Sequence, residues 1–102
     1  MQYTLDTLEF SRKRIDLFLS MRYSDRVRLS KYSDAAWSMW IKGDREPSMS
    51  VLIALSERLA VYSPLLVGLN PMEVAAGILI MRSRRIEKDK AKASAEQGQS
   101  AA

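Results

Sequence analysis

The chain has 102 residues, of which 47% are hydrophobic and 27% charged, and this is the composition of a single ordinary globular domain. It contains no cysteine and no histidine, which excludes disulfides, thiolate zinc sites and imidazole metal ligands and removes the commonest general base. The net charge of +4 favours a polyanionic partner, either nucleic acid or an anionic membrane surface.

The first predicted helix runs from about Leu5 to Ser20. Thr4 can cap its N-terminus, and apolar residues recur along it at helical spacing. The beginning of the chain has no basic segment followed by an apolar run, so we expect no signal peptide.

Two short helices are predicted next, at about Asp25–Lys31 and Asp34–Lys42, and a tight turn at residues 32–33 joins them. Ser33 can cap the second of these helices. Gly43 is a natural stop, because glycine tolerates the left-handed conformation found after a helix. The inner face of this helix should then be one apolar stripe, formed by Ala36, Trp37, Trp40 and Ile41.

A fourth helix is predicted to follow Pro47, with Ser48 as its cap and a leucine-rich inner face. A turn at Ser63-Pro64, closed by Gly68, ends this part of the chain.

The start of the fifth helix is the clearest in the sequence. Asn70 can cap it, Pro71 suits the first helical position, and Glu73 can reach back to the cap. We expect this helix to run from Pro71 into the low eighties or beyond and to be apolar around much of its circumference. Residues 82–92 are charged, and residues 93–102 have no apolar face to pack, so the end of the chain is predicted to be disordered.

Residues 38–48, SMWIKGDREPS, carry a resemblance to a known family. Serine, any residue, tryptophan, two residues and glycine are followed by a basic-acidic pair, proline, serine and a leucine-rich helix. This order is similar to the lambda-repressor/Cro-like helix-turn-helix family, and the resemblance covers about residues 24–62. The leucines that complete it are Leu52, Leu55 and Leu59.

The resemblance implies an all-α fold, a five-helix lambda-repressor-like helix-turn-helix domain with a long C-terminal helix and a disordered tail. Residues 1–70 would form the DNA-binding domain, 71–92 the C-terminal helix and 93–102 the tail. It further implies a sequence-specific transcriptional regulator, a phage- or plasmid-type repressor in the cytoplasm of a bacterial host. Its partner would be double-stranded DNA. The apolar circumference of the fifth helix exceeds what one small domain needs to cover, so we also expect a second copy of the chain, joined through helix 71–85. No cofactor, metal or membrane is expected.

In this family the helix at 34–42 would enter the major groove with its outer side toward the bases. The outward residues, expected to contact bases, are Asp34, Ala35, Ser38 and Met39. The residues expected to contact phosphates are Arg26, Arg28, Lys31, Ser33, Lys42 and Arg45.

Two features depart from the family. None of the outward residues is an arginine, lysine, asparagine or glutamine, the side chains that form the strongest specific hydrogen bonds to base edges. The second helix is also predicted to be about two residues shorter than usual, and its turn lacks the common glycine. A second hypothesis is therefore an interaction protein, such as an antitoxin, on a helix-turn-helix scaffold with weakened DNA contacts.

A membrane protein and an enzyme are the two other possibilities. Residues 59–81 are long enough to span a membrane, but Asn70, Pro71 and Glu73 at their centre oppose this. An enzyme is not expected, because the carboxylates of the first helix have no nucleophile to pair with; they are Asp6, Glu9 and Asp16.

Overall fold

The computed structural model describes the backbone of residues 11–100 and the side chains of residues 11–92, and within this range all regular structure is helical. The five α-helices are α1 (Arg12–Ser20), α2 (Tyr23–Ser30), α3 (Asp34–Lys42), α4 (Met49–Leu59) and α5 (Pro71–Ser100). Two single-turn 3-10 helices, Ala60–Tyr62 and Pro64–Leu66, connect α4 to α5. The predicted all-α fold with five helices and a long C-terminal helix is confirmed.

The first helix begins later than the sequence predicts. Ser11 has an extended backbone and its hydroxyl accepts the amide hydrogen of Arg14, so it is the N-terminal cap of α1. The amide of Ser11 donates to Oε2 of Glu73 at 2.7 Å, a contact between residues far apart in the chain. One continuous helix from Leu5 to Ser20 is therefore wrong, because Ser11 is not helical. The predicted start at Leu5 and the predicted cap at Thr4 lie outside the described residues.

The beginning of α5 is a capping box, as predicted. The Asn70 side chain accepts the amide hydrogen of Glu73 at 3.0 Å, and the Asn70 amide donates to the Glu73 carboxylate at 3.1 Å. The fully buried carboxylate of Glu73 also forms an ion pair with Arg14, with 2.8 Å between the nearest atoms. The cap, the start of α1 and the start of α5 are thus joined in one buried polar cluster.

The backbone of α5 is helical as far as Ser100, and therefore into the segment 93–102 for which the sequence predicts disorder. The segment has nothing apolar to pack, but alanine, lysine, glutamate and glutamine are strong helix formers. Extending an existing helix fixes few dihedral angles per hydrogen bond, so continuation is much easier than a new start.

The core lies where α5 crosses the other helices, and α1, α3 and α4 all pack against its first half. Gly77 of α5 lies directly against the Phe18 ring of α1, and a β-carbon at this position would come within 2.3 Å of that ring. Glycine therefore permits the close approach of the two helices. The fully buried apolar residues of this core include Phe18, Trp37, Leu55, Leu59, Leu66 and Val74.

Among the helices of the described residues, none combines the length and the apolar character needed to cross a membrane. The segment 59–81 divides into the two 3-10 helices, a turn and the first part of α5. The buried ion pair of Glu73 lies within it.

Candidate nucleic-acid interface

Helices α2 and α3 form a compact two-helix unit. The eight residues of α2 and the nine of α3 are separated by a turn at residues 31–33. Two short helices with a short turn between them have the element order of a helix-turn-helix motif, and membership of that class stays a prediction. The helix α2 begins at Tyr23 and not at Asp25, so the predicted start is wrong, and the helix has eight residues. That it is shorter than the second helix of the family stays a prediction. Lys31 ends it in the left-handed conformation, with φ of 63°, at the position where glycine is usual.

The inner face of α3 is formed by its two tryptophans, as predicted. Trp37 is fully buried and Trp40 is 5% exposed, and their rings meet edge to face with 5.2 Å between centroids. Phe18 of α1 and Tyr32 of the turn complete the aromatic cluster around them. Aromatic groups of this size dominate the burial of a small helix, so they fix the rotation of α3 about its own axis.

Ser30 is the polar link that holds α2, α3 and α4 together. It is fully buried, and its hydroxyl accepts the indole N–H of Trp37 at 3.0 Å. The backbone carbonyl of Ser30 accepts from the guanidinium of Arg58, on α4, at 2.7 Å. This guanidinium also lies over the ring of Tyr32. The turn between the two helices is therefore fixed from the side of α4.

The C-terminus of α3 is held by α5. Gly43 takes the left-handed conformation with φ of 84°, which confirms the predicted stop. The guanidinium of Arg82 donates to the carbonyl of Trp40 at 2.8 Å and pairs with Glu46 at 2.7 Å. The carbonyl of Trp40 also accepts the amide hydrogen of Gly43 at 3.3 Å, so Arg82 is its second donor. The positive charge of Arg82 suits the negative end of the helix dipole.

Among the described residues, the outer face of α3 is only partly covered. Asp34, Ala35 and Lys42 are exposed, while Ser38 and Met39 are half-buried. Met39 borders a groove of about 320 Å³ between α3 and the start of α4. The predicted burial of Trp37 and Trp40 is confirmed, whereas the half-buried Ser38 and Met39 are covered to the same degree as Ala36 and Ile41 of the predicted inner face. The contact of the outer face with DNA stays a prediction.

Asp34 is engaged by a neighbour at the N-terminus of α3. The hydroxyl of Tyr23 donates to its carboxylate, and lies 3.1 Å from its backbone carbonyl oxygen. Partial burial, followed by the hydrogen bond and the negative charge of Asp34, raises the pKa of Tyr23 to about 12. The contact joins the first turns of α2 and α3, and it leaves a carboxylate at the edge of the surface predicted to meet DNA.

Five of the six residues predicted to contact phosphates are exposed: Arg28, Lys31, Ser33, Lys42 and Arg45. Arg28 pairs with Asp25 at 3.2 Å, one turn earlier on the same helix. Ser33 caps α3, because its hydroxyl accepts the amide hydrogen of Ala36 at 3.1 Å. The exposed Lys31, Lys42 and Arg45 place positive charge near the two ends of α3.

Arg26 does not belong to this group. Only 9% of it is exposed, and its guanidinium lies over the rings of Tyr23 and Trp37 and donates to the sulfur of Met81 at 2.8 Å. Burial lowers the pKa of Arg26 from its ordinary value. The prediction that Arg26 contacts a phosphate is therefore wrong, because this side chain faces the aromatic core behind the motif.

Three residues that organise this surface were not predicted from the sequence. Ser30, Arg58 and Arg82 act through side-chain-to-backbone or side-chain-to-indole contacts with partners seven or more residues away. A serine in the last turn of a helix and two arginines on largely apolar helices are the available signals. Neither feature indicates which residue each side chain contacts, so sequence periodicity alone does not predict these three roles.

Comparison of this chain with protein-family models, curated proteins and solved structures gives no match.

Proposed function

We propose that the chain is a sequence-specific DNA-binding transcriptional regulator, a repressor of the phage or plasmid type, that inserts the outer face of α3 into the major groove. The observation that carries the proposal is the orientation of α3. Its tryptophans are buried beneath it, and on its opposite side Asp34, Ala35 and Lys42 are exposed within the part of the chain that the structure describes. An α-helix with one free side has the dimensions that the major groove admits.

Phosphate contacts would supply most of the affinity in this arrangement. Lys31, Lys42 and Arg45 are exposed near the two ends of α3. Positively charged side chains in such positions release counterions from the duplex, so the affinity falls steeply as salt rises.

Base contacts would come from Asp34, Ala35, Ser38 and Met39. Aspartate accepts from the cytosine amino group, alanine contacts the thymine methyl group, and serine pairs with several bases. None of these is a strong reader, so we expect part of the discrimination to come from the sequence-dependent shape of the duplex.

A second copy of the chain is the expected protein partner. Met72, Leu79 and Ile86 recur every seven residues on α5, and each is roughly half-exposed. Met49 and Ile53 of α4 are also exposed, and they line a groove of about 540 Å³ that Met72 borders. Met72, Leu79 and Ile86 are together called the apolar seam. A symmetric contact through the apolar seam would pair two copies and match a palindromic site.

The experiment is a titration of the full chain with the duplex that flanks its own gene, at several salt concentrations and against an unrelated duplex. We expect preferential binding of the flanking duplex. The variant Lys42→Gln/Arg45→Gln should bind more weakly to every duplex, and its plot of affinity against salt should be shallower by about 1 for each phosphate interaction that the substitutions remove.

The matched control removes two exposed charges from α1, as Arg12→Gln/Lys13→Gln. Equal weakening in the two variants would show that net charge, and not the surface of α3, determines binding. Equal affinity for all duplexes would remove the claim of sequence specificity.

The dimer has a separate test. Leu79→Glu places a charge in the apolar seam while leaving the core side of α5 intact. Sedimentation should show a dimer for the native chain and a monomer for this variant. A native chain that is monomeric at all accessible concentrations would contradict the pairing.

The second candidate is an interaction protein that retains the scaffold without strong DNA contacts. The weak readers of α3 and the negative charge of Asp34 near the groove-facing side favour it. Charge removal at Lys31 and Lys42 would then leave function unchanged, and a partner protein would co-purify with the chain.

A further inference from the structure

One side of α5 carries a regularly spaced series of residues whose chemical character changes along the helix. Residues on this side are separated alternately by four and three positions, the spacing that holds side chains on one face of a helix. The series begins with apolar residues and ends with basic ones. Its members are Val74, Ile78, Met81, Arg85, Lys88 and Lys92.

The first half of this series faces the core. Val74 is fully buried, Ile78 is 2% exposed, and Met81 packs against the same cluster. Past Arg82 every described residue of α5 is exposed, so the helix has left the core. Because the spacing continues unchanged, Arg85, Lys88 and Lys92 project on the side of α5 that covers the other helices. These three residues are called the basic stripe.

The basic stripe begins beside the end of α3. Arg82 binds the carbonyl of Trp40 and the carboxylate of Glu46. Arg85 follows Arg82 by less than one helical turn. Lys42 and Arg45 are exposed at the same end of α3. A polyanion that touches the outer face of α3 at this end therefore has the basic stripe within its reach.

The charge of the segment is concentrated on that side. Residues 83–92 contain five basic and two acidic residues, a net charge of +3 out of +4 for the whole chain. Arg84 lies next to the stripe, whereas Lys90 lies on the other side of the helix. Arg85 has one ion pair, with Asp89 at 4.0 Å, and an exposed pair of this kind contributes little and leaves the charge available.

The stripe is not suited to pairing with its own copy. If two copies paired through the basic stripe as a coiled coil, its lysines and arginine would face the same residues of the other copy and repel them. The apolar seam of Met72, Leu79 and Ile86 lies on the opposite side of α5. Pairing of two copies through that seam would leave both basic stripes facing outward.

We infer that Arg85, Lys88 and Lys92 form a second, sequence-independent contact to the phosphate backbone of the duplex that α3 engages. The inference rests on the proposed function. The projecting half of α5 extends the duplex contact beyond the small domain, and its exposed lysines and arginines are complementary in charge to a phosphate backbone. Base sequence does not enter this contact, so it adds affinity to specific and unrelated duplexes alike.

The test is a relocation of charge at constant composition in the full chain. The variant Glu87→Lys/Lys88→Glu/Ala91→Lys/Lys92→Ala moves two lysines away from the stripe and keeps the net charge. Affinity for a labelled duplex is measured between low and moderate salt for this variant, the native chain and Lys42→Gln/Arg45→Gln, and circular dichroism checks that helix content is equal. We expect the logarithmic salt dependence of the relocated variant to be shallower by about 2, because each of the two displaced lysines accounts for about 1.

Native salt dependence in the relocated variant, together with weakened binding in Lys42→Gln/Arg45→Gln, would overturn this inference and leave the proposed function standing. Absence of duplex binding by the native chain would overturn both. Binding to vesicles that contain phosphatidylserine, abolished on relocation, without any binding to duplex, would also overturn the inference, because the partner of the stripe would then be a lipid surface.

Discussion

The two faces of α3 differ in how strongly the rest of the chain restrains them. On the inner face, Trp37 is fully buried and bonded to Ser30, and the carbonyl of Trp40 is bonded to Arg82. On the outer face, Ala35 and Lys42 are exposed, with no side-chain hydrogen bond in the described part of the chain. Asp34, at the N-terminal end of the outer face, is held by the Tyr23 hydroxyl. The inner face thus determines where α3 lies, and the side chains of the outer face other than Asp34 are free to adjust to a ligand.

This difference separates stability from recognition within nine residues of one helix. Substitutions on the inner face should lower the free energy of unfolding, whereas substitutions on the outer face should change binding at nearly constant stability. The following experiments examine that separation, beginning with the largest expected effect.

Trp37→Ala should have the largest effect. It removes the side chain at the centre of the aromatic cluster and leaves a cavity beneath α3, so we expect a loss of about 3–5 kcal/mol in the free energy of unfolding. Ala35→Ser, on the outer face of the same helix, should change this quantity by about 0.5 kcal/mol or less. Urea unfolding followed by circular dichroism measures both, and equal losses would contradict the division of the helix.

Gly77→Ala tests the close approach of α5 and α1. Alanine has the better helix propensity, so in open space it would stabilise the helix by about 1 kcal/mol. Here its β-carbon would come within 2.3 Å of the Phe18 ring, and we expect a net loss of about 1–3 kcal/mol from overpacking. The same change in a Phe18→Leu background should cost less, and stabilisation in the native background would show that the helices are farther apart.

Ser30→Ala tests the polar link behind α3. The buried indole N–H of Trp37 would be left without its acceptor, at an expected cost of about 1–3 kcal/mol. Ser20→Ala is the matched control, because Ser20 also ends a helix and donates to the carbonyl three residues earlier but is exposed. A similarly small loss in the free energy of unfolding in both variants would contradict the role assigned to Ser30.

Lys31→Gly should give the smallest effect and the opposite sign. The left-handed backbone at Lys31 disfavours a residue with a β-carbon, so we expect glycine to raise the free energy of unfolding by about 1 kcal/mol or less. Lys31→Ala removes the same charge but keeps the strained backbone. Equal stabilisation by alanine would show that charge, and not backbone conformation, is responsible.

The sequence predicts the elements whose signals are local. Ser33 and Gly43 delimit α3 correctly, because a cap and a left-handed stop act within a few residues. Asn70 and Glu73 likewise define the start of α5. The spacing of Trp37 and Trp40 identifies the inner face of α3, and the exposed outer face then follows from helix geometry.

The features that the sequence does not predict depend on distant partners. The start of α1 moves to Arg12 because Glu73, far along the chain, receives the amide hydrogen of Ser11. Arg26 looks like a surface charge in the sequence, but aromatic rings and Met81 cover it in the fold. No local pattern specifies such pairings, because they arise only when α5 crosses the other helices.

The most direct measurement of the central claim is the change in backbone amide NMR shifts when the flanking duplex is added to the full chain. We expect the largest changes at residues 34, 35, 38 and 42 and along residues 85–92, with little change at Met49 and Ile53. Changes confined to the region of Met49, Ile53 and Met72, or no change at α3, would contradict the claim that the outer face of α3 meets DNA.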